Sequence, residues 1–482
     1  MPRISIDPAT RLEGHGRVDI FLDDDGAVEN AYLQVPELRG FESFVRGRPV
    51  EEMPGIVTRI CGICPGAHHI CSGKAADAVY RVQPPPGAVK LRELFYCAHF
   101  IHSHIAHLYL LAAPDLLAAG PARNFPAGFE QLGGEAGAIR HRAMAQEIQA
   151  LLGGKATHPS LVLPGGVAKG MPAADRERVR ECAARLVEFA VFSLRFFEER
   201  VLRQREYLDV VRDRAYRVET HYLGLVDGQN RVTFYDGTVR VSGPDGEETG
   251  SFMAGAYLEY LAEAVVPWSY MKFPYLRRLG WPGLAEAGGI YQVGPLARLN
   301  VASGMATPLA QEAYGQLFAA MGPKPVHAVL GQHWARLVEL LYAAERLAEL
   351  AADPETGSGP LRVIPVDTPG AGVGLVEAPR GLLIHHYQAD ERGIVKQANF
   401  LPGTTHNNAA IGLALKKAAA RVIRPGRPVT EDLLNRVETV LRAFDPCFSC
   451  STHALAGPSR PKVRVFRPGG ELVRELGESL DG

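Results

Sequence analysis

Long apolar runs, net charge and cysteine are all scarce in this chain of 482 residues. No stretch reaches the roughly 18 uninterrupted apolar residues of a membrane-spanning helix. The best candidate, 108–117, is interrupted by Pro114 and Asp115. The formal net charge of −1 gives no electrostatic reason to expect nucleic acid or an anionic membrane surface as a partner. The sequence therefore predicts a globular protein without a membrane span and without a nucleic-acid site.

The amino terminus, MPRISIDPATRLEGHGR, lacks the apolar segment of a secretory signal. We therefore expect a cytoplasmic protein, although a subunit can also be exported on a partner's signal. Seven cysteines is an odd number, and four of them stand in two Cys-x-x-Cys pairs. In a reducing compartment this usage favours metal or redox chemistry over a disulfide framework.

The spacing of apolar residues predicts a mainly helical chain with small sheets. Helices are expected at 88–113, 135–152, 173–213, 310–351 and 431–444. Alternation around the acidic turn DDDG predicts a hairpin of 17–22 with 28–35, and 359–400 predicts a hairpin with ADERG at its tip. Residues 218–281 look like a mixed elaboration rather than a separate domain. The predicted fold class is α+β, predominantly α, with a core bundle of long helices and peripheral small sheets or hairpins.

The cysteine pairs lie in RICGICPGAHH (59–69) and DPCFSCSTH (445–453). A Cys-x-x-Cys turn presents two thiolates to one metal, so Cys61, Cys64, Cys447 and Cys450 predict a four-thiolate site. A structural zinc site is one interpretation. Against it, the pairs are 447 − 64 = 383 residues apart, whereas structural zinc usually closes a local module. A histidine also follows each pair, well placed for a hydrogen bond beside the metal.

The two cysteine motifs resemble the metal-binding signatures of the large subunit of nickel-iron hydrogenases. Five further motifs keep the order of that family: TRLEGHG (10–16), LRGFESF (38–44), IHSHIAHLYLLAAPD (101–115), LVLPGGV (161–167) and VEAPRGLLIHH (376–386). Among its subgroups, the chain looks most like the soluble cytoplasmic hydrogenases coupled to NAD(P) or similar carriers. The resemblance implies a hydrogenase large-subunit fold over 1–453 as a single domain, and an enzyme that reversibly cleaves H2 into protons and electrons.

The resemblance also implies roles for the cysteines. Cys61 and Cys447 would be terminal thiolates on nickel, while Cys64 and Cys450 would bridge nickel to an iron that carries CO and cyanide. Soft sulfur ligands suit such a centre. Cys447 would be the first proton acceptor and would pass the proton to Glu13.

Other motif residues would surround the metals. Arg380 would lie over the open metal position and hydrogen-bond a cyanide, with His68 and Pro379 also beside the cofactor. A fixed fork of donors suits that task better than a lysine. Asp115 and Asp445 would hold this arginine, because a buried guanidinium needs such partners.

A second, magnesium-like site is implied by Glu42 and His453, with a backbone carbonyl near Asn399 as a further ligand. A hard carboxylate fits magnesium, whereas imidazole is an unusual partner for it.

The remaining cysteines, Cys71, Cys97 and Cys182, are isolated and cannot ligate an iron–sulfur cluster. We therefore expect an iron–sulfur small subunit near the cysteine pairs. The resemblance further implies diaphorase-type electron-transfer subunits, maturation factors and an endopeptidase. In this family a protease commonly cuts after the motif histidine. Residues 454–482, which form a predicted hairpin around RPGG, are thus either a cleavable extension or a retained tail. A cleavable extension still in place would keep the second cysteine pair from closing over the metals.

Three alternatives share parts of this pattern. A hydrogen-sensing regulatory hydrogenase would have the same ligands, a structural zinc protein would use the same four cysteines, and a cofactor-less relative such as the homologous subunit of respiratory complex I would have lost them.

Two other signals are discounted. PGAGVG (369–374) lacks the last glycine of a dinucleotide fingerprint and leads into a predicted strand. Histidines at 99, 102, 104 and 107 lie on one predicted helix at spacings that do not converge on a metal, so we interpret them as core or interface residues.

Overall fold

The computed structural model describes residues 3–117, 137–203, 205–266, 268–285 and 288–452, together with the backbone of 463–466 and 472–476. Its centre is a group of long helices. Gln332–Ala352 packs against Pro86–Ala106, Ala173–Phe197 and Pro308–Met321, and Ala138–Gly153 packs on Pro86–Ala106. Shorter helices are Phe41–Phe44, Met53–Ile56, Pro65–Val79, Ala113–Leu117, Arg205–Arg212, Tyr257–Tyr260, Pro295–Val301, Gly403–His406, Asn408–Val422 and Glu431–Phe444.

Most of the predicted helices are confirmed, with local changes of pitch. The stretch 88–113 is helical, but His107–Ala112 is a wider π-type turn between Pro86–Ala106 and Ala113–Leu117. A second wide turn, Glu198–Leu202, follows Ala173–Phe197. The helix at Glu431–Phe444 is confirmed, and the Thr430 hydroxyl accepts a hydrogen bond from Leu433 N at its start.

The single helix predicted over 310–351 is wrong. Pro308–Met321 ends at Gly322, which has φ 99°, and the next helix begins at Gln332. Pro323 and Pro325 stand in the connection. A left-handed glycine followed by prolines cannot continue a helix, so these three residues outweigh the apolar periodicity around them.

An antiparallel sheet at the amino terminus is formed by Arg3–Ile6, Arg17–Leu22 and Val28–Gln34. Its hairpin is the predicted one, with Arg17 opposite Gln34 and Phe21 opposite Asn30. The strand Val28–Gln34 packs against Asn408–Val422, which in turn packs against Glu431–Phe444. Residues of the amino-terminal sheet and of the helices Asn408–Val422 and Glu431–Phe444 therefore share one apolar cluster.

A three-stranded antiparallel sheet lies beside the first cysteine pair, with strands Ala371–Ala378, Gly381–Ala389 and Val395–Leu401. The predicted tip at ADERG is confirmed, but a second tight turn at Pro379–Arg380 adds a strand to the predicted hairpin. PGAGVG runs into a strand as predicted. A Cβ at Gly374 would lie 2.1 Å from the Cys71 carbonyl oxygen, so this glycine lets the helix Pro65–Val79 approach the sheet.

The segment 218–281 is mixed, as predicted. Its largest sheet contains His221–Val226, Thr238–Ser242 and Glu248–Phe252, and Tyr291–Gln292 joins it in parallel. Leu261–Ala264 pairs with Phe273–Leu276. Two further pairs are Val162–Leu163 with Gly166–Val167, and Val463–Phe466 with Leu472–Leu476, the second being the predicted hairpin near the carboxyl terminus.

A fully buried ion-pair network joins the helices to the sheets. Arg298 contacts Glu339 through two nitrogens at 2.5 and 2.7 Å, and its third nitrogen lies 2.5 Å from Glu377. His104 Nε2 lies 3.1 Å from Glu339, and Leu225 N donates to Glu377. Every hydrogen-bonding nitrogen of Arg298 thus has a carboxylate partner, which a buried guanidinium requires.

Candidate metal centre

The four cysteines of the two motifs meet in the core. Cys61 follows the short 3₁₀ turn Val57–Ile60, and Cys64 directly precedes the helix Pro65–Val79. Cys447 directly precedes the 3₁₀ turn Phe448–Cys450, and Cys450 is its last residue. The sulfurs of Cys61 and Cys447 are 3.1 Å apart, those of Cys64 and Cys450 are 3.0 Å apart, and all four lie within 4.8 Å of one another. All four are buried thiols rather than disulfides, so they offer a dense set of soft ligands.

Burial and hydrogen bonds between the thiols shift their pKa values in different directions. Burial raises the pKa of Cys447 and of Cys450 well above the ordinary value. Burial acts in the same direction on Cys61, but hydrogen bonds from Cys447 and the other two thiols outweigh it and lower the pKa of Cys61. Four adjacent sulfurs cannot all carry negative charge without a cation, so this arrangement favours metal binding.

Glu13 lies beside the second pair. Its backbone forms a parallel bridge with Cys447, and Phe448 N donates to the Glu13 carbonyl at 3.1 Å. Its side chain accepts hydrogen bonds from Cys447 Sγ at 3.0 Å, Ser449 N at 3.1 Å and Ser449 Oγ at 2.6 Å. Gly14 has φ 82°, and a Cβ there would lie 2.9 Å from Phe448 Cβ, so RLEGH passes close to CFSC. The Glu13 carboxylate is thereby fixed within hydrogen-bond distance of Cys447, a candidate metal ligand.

Arg380 stands in the turn Pro379–Arg380 and is buried. It donates to Asp445 Oδ1 at 3.1 Å and to Ser103 Oγ at 3.3 Å, whereas its Nε has no partner among the described residues. Burial by itself would lower the pKa of Arg380, but Asp445 and the cysteine sulfurs raise it. Burial raises the pKa of Asp445 despite the attraction of Arg380.

Asp115 does not hold Arg380, and that expectation is wrong. Its carboxylate lies 2.5 Å from Arg11 Nη2 and 2.5 Å from Arg442 Nε. Arg11 also donates to the Leu111 carbonyl in the turn His107–Ala112, and Arg442 donates to the Thr10 carbonyl. Asp115 therefore ties the amino-terminal segment to the last helix.

A small cavity lies on one side of the sulfur cluster. Its lining includes Cys64, Cys447, Cys450, His68, Pro379, Arg380 and Thr404, and most of the remaining wall is apolar. Thr404 Oγ1 accepts a hydrogen bond from Cys447 N at 2.9 Å. His68 Nε2 is 3.5 Å from Cys450 Sγ, and burial lowers the pKa of His68 to about 4. A mostly apolar cavity bordered by a guanidinium with one unpaired nitrogen among the described residues suits a small ligand with few polar atoms.

Glu42 belongs to a cluster of oxygen-bearing side chains that surrounds Lys272. Lys272 Nζ is 3.0 Å from Glu42, 2.7 Å from Glu263 and 2.7 Å from the Asn399 side-chain oxygen. Burial raises the pKa of Glu42 although Lys272 opposes this. His453, the other predicted ligand, lies outside the described residues.

The helical histidines are core residues. His99, His102, His104 and His107 are all buried, and burial lowers the pKa of each. His104 bonds Glu339, and His107 bonds the Arg442 carbonyl at 2.8 Å. Within the described part of the chain, the four cysteines are the one group of His, Cys, Asp and Glu side chains close enough to share a metal ion.

Comparison with known proteins agrees with this geometry. The family model described as nickel-dependent hydrogenase matches residues 39–124 and 270–453, and a HoxL-like model matches residues 3–38. The chain belongs to the nickel-dependent hydrogenase family.

Two relatives and one solved structure show the range of the similarity. An iron-sulfur subunit of the F420-non-reducing hydrogenase of Archaeoglobus profundus is 44% identical, with 99% of each chain covered. The beta subunit of the NAD-reducing hydrogenase HoxS of Cupriavidus necator is 37% identical over 98% of this chain and 99% of that one. The crystal structure of an NAD+-reducing [NiFe]-hydrogenase in the H2-reduced state has a TM-score of 0.88 at 38% identity, covering 94% of this chain and all (100%) of that one.

The mainly helical fold expected of the family is confirmed for this hydrogenase. Among its described helices, none is both long and apolar enough to cross a membrane.

Sequence reasoning missed several polar residues of the hydrogenase site. Ser449 donates hydrogen bonds to both carboxylate oxygens of Glu13, and Thr404 accepts one from the backbone N–H of Cys447. Ser103 accepts a hydrogen bond from Arg380, which also donates to Asp445. Ser449 could have been noticed, since it stands between the two ligands in CFSC. Ser103 also stands in a family motif, IHSHIAHLYLLAAPD, whereas Thr404 gives no such signal because only the fold brings it to the site.

Proposed function

We propose that this chain is the catalytic subunit of a nickel-iron hydrogenase that reversibly cleaves H2 into protons and electrons. The observation that carries the proposal is the cluster of four buried cysteine sulfurs, with a carboxylate bonded to one and, within the described residues, a buried arginine donor left unpaired beside them. A structural zinc site would need the four sulfurs alone. Glu13 and Arg380 add a proton acceptor and a fixed positive charge, which are the groups that heterolytic cleavage uses.

In this proposal Cys61 and Cys447 hold nickel, Cys64 and Cys450 bridge nickel to iron, and the iron carries CO and cyanide. The cavity bordered by Cys64, Cys450, Pro379 and Arg380 supports this assignment, because its apolar wall and its guanidinium donor fit the diatomic ligands. When bound, the metal pair would supply the Lewis acidity that makes H2 acidic enough to lose a proton.

The protein's own residues would then move and hold the proton. Cys447 Sγ takes the proton first and passes it to Glu13 Oε2, which is 3.0 Å away. Ser449 keeps the Glu13 carboxylate in place through two hydrogen bonds, so the acceptor does not have to reorient during transfer.

Arg380 would donate to a cyanide through its Nε while Asp445 and Ser103 fix its other nitrogens. Arg380→Lys is expected to lower H2 oxidation roughly 10- to 100-fold at unchanged nickel and iron content, because a hydrogen bond to a charged group contributes about 1.5–3 kcal/mol and 1.36 kcal/mol is tenfold. Dye-coupled H2 oxidation measures the rate. Arg392→Lys, at an exposed position, should match the unsubstituted enzyme. Full activity of Arg380→Lys would exclude this role.

We further propose magnesium binding by Glu42 and His453. Glu42, Glu263 and Lys272 together carry a net charge of −1, which favours an additional cation, and carboxylate oxygens are ligands that magnesium prefers.

The electrons would leave through an iron–sulfur small subunit, then pass on to NAD(P) or another soluble carrier. Only three cysteines, Cys71, Cys97 and Cys182, lie outside the two pairs, which is fewer than the four thiolates that usually ligate an iron–sulfur cluster. The chain produced without its partner is therefore expected to reduce dye with H2 far more slowly than the complex. Equal rates would contradict an obligate small subunit.

Residues 454–482 are proposed to be removed during maturation. The mass of the metal-replete protein should then lack these 29 residues. Intact-mass spectrometry decides the matter, since the full-length mass in an active enzyme would mean that the tail is retained.

Infrared spectroscopy combined with elemental analysis, on protein purified with its partner, tests the proposed function. We expect CO and cyanide bands together with nickel, iron and magnesium in equal amounts. Stoichiometric zinc without such bands would establish a structural zinc protein instead. Turnover far below that of a catalytic hydrogenase, with all bands present, would favour a hydrogen sensor.

A further inference from the structure

A chain of hydrogen bonds leads from Cys450 away from the sulfur cluster. His68 Nε2 faces Cys450 Sγ at 3.5 Å, and His68 Nδ1 lies 3.0 Å from His385 Nε2. His385 Nδ1 lies 2.8 Å from Tyr387 Oη, and the Tyr387 hydroxyl donates to Ser72 Oγ at 2.8 Å. All five residues are buried. The bridging ligand of the proposed centre is thus connected to four polar side chains in series.

One helix and one strand carry the four side chains of this hydrogen-bond series. His68 and Ser72 are four residues apart on one face of the helix Pro65–Val79, and His385 and Tyr387 are two apart on one face of the strand Gly381–Ala389. The helix packs directly on this strand and on its neighbour. The imidazole rings therefore have little freedom to turn away from one another.

The two histidines must be oriented together. A neutral imidazole has one N–H and one bare nitrogen, so a bond donated at one side of the ring fixes the other side as an acceptor. The Tyr387 hydroxyl has a single hydrogen. While it donates to Ser72, His385 donates to Tyr387, His68 donates to His385, and the bare Nε2 of His68 faces sulfur. That direction suits a Cys450 thiol, which can donate.

A metal-bound thiolate has no hydrogen to donate, and a bare nitrogen facing it would be unfavourable. Turning the Tyr387 hydroxyl from Ser72 to His385 reverses every bond in the series. His385 then donates from Nε2 to His68 Nδ1, and His68 donates from Nε2 to the sulfur. The same side chains therefore fit either a protonated or a metal-bound Cys450, through rotation of one hydroxyl and a change of tautomer in two rings.

We propose that His385 and Tyr387 are positioning residues that hold His68 as the tautomer donating its Nε2 hydrogen to the bridging thiolate of Cys450. This inference rests on the proposed nickel-iron centre. A hydrogen bond to a ligating sulfur draws electron density from the metal and raises its reduction potential. With less density to donate back, the iron holds CO with a higher stretching frequency.

Infrared spectra of the complex with its small-subunit partner test this role. His385→Leu removes both hydrogen bonds of the ring and is expected to shift the CO band to lower frequency. Tyr387→Phe keeps the ring that packs near Phe400 and removes only the hydroxyl, so a smaller shift in the same direction is expected. His385→Gln retains an amide donor and should restore part of the original frequency.

His386→Gln is the matched control. His386 is the next residue on the same strand, points to the other face and bonds Tyr257 at 3.0 Å, so its variant should leave the CO band in place. Nickel and iron contents are measured for every variant, and the metal-bound fraction alone gives the bands.

Unshifted CO bands in both Tyr387→Phe and His385→Leu would overturn the proposal, as would an equal shift in His386→Gln. If His385→Leu does not assemble, Tyr387→Phe decides alone. Absence of CO and cyanide bands from the unsubstituted complex would instead overturn the proposed function and this inference with it.

Discussion

Replacing Glu13 by glutamine is expected to lower H2 oxidation by about 10²–10⁴-fold, the usual contribution of a positioned proton acceptor, while nickel and iron stay bound. Glutamine keeps the size of the side chain and one oxygen that can accept from Ser449 Oγ. Its amide cannot take up a proton from Cys447 Sγ. The variant thus separates proton transfer from metal binding, because Glu13 is not a ligand in the proposed centre.

Dye-coupled H2 oxidation and elemental analysis of the same sample provide the measurement. Glu29→Gln is a suitable control, since Glu29 is an exposed carboxylate in the amino-terminal sheet. An unchanged rate in metal-replete Glu13→Gln protein would show that the proton leaves Cys447 by another route.

Substitution of Glu339 by leucine is expected to cost about 3–5 kcal/mol of unfolding free energy, the usual loss when one partner of a buried ion pair is removed. Glu339 engages two nitrogens of Arg298 and also bonds His104. Neither Arg298 nor Glu339 has any solvent exposure, so water cannot replace the lost carboxylate. Arg298 would then keep one of its two carboxylate partners, Glu377, to balance its positive charge.

Glu377→Gln makes the informative comparison. Burial raises the pKa of Glu377, whereas at Glu339 the attraction and hydrogen bonds of Arg298 outweigh burial and lower the pKa. The surroundings therefore stabilise the negative charge of Glu377 less than that of Glu339. Glu377→Gln should lower the free energy of unfolding by clearly less than Glu339→Leu does. Chemical denaturation of both variants tests this order, and equal losses would mean that Arg298 depends on both carboxylates alike.

Local sequence signals predicted the parts of the fold that depend on local chemistry. The hairpin around DDDG and the tip at ADERG follow from turn residues between alternating strands. The helix predicted over 310–351 failed because periodicity alone ignores Gly322 and the two prolines beyond it. The strand after PGAGVG was predicted, but the turn at Pro379–Arg380 that separates it from the next strand was missed, although Pro379 and Gly381 are common turn residues.

The candidate site was predictable only to the extent that its residues lie in motifs. The cysteine pairs identify themselves by spacing, and Glu13 and Arg380 became recognisable through the neighbouring family motifs. The partner of Asp115 was mistaken, because the pairing of buried charges depends on the three-dimensional path of several helices. Lys272 beside Glu42 could not be foreseen for the same reason, since the two residues are far apart in the sequence.

The bridge between Glu13 and Cys447 has a consequence for biosynthesis. Cys447 and Cys450 are among the last residues of the helical core to leave the ribosome, whereas Cys61, Cys64 and Glu13 are among the first. The part of the pocket formed by Glu13, Cys61 and Cys64 is therefore synthesised long before Cys447 and Cys450 are available to complete it. A cell that makes this enzyme needs a way to keep two exposed thiols reduced and unoccupied by stray ions during that interval.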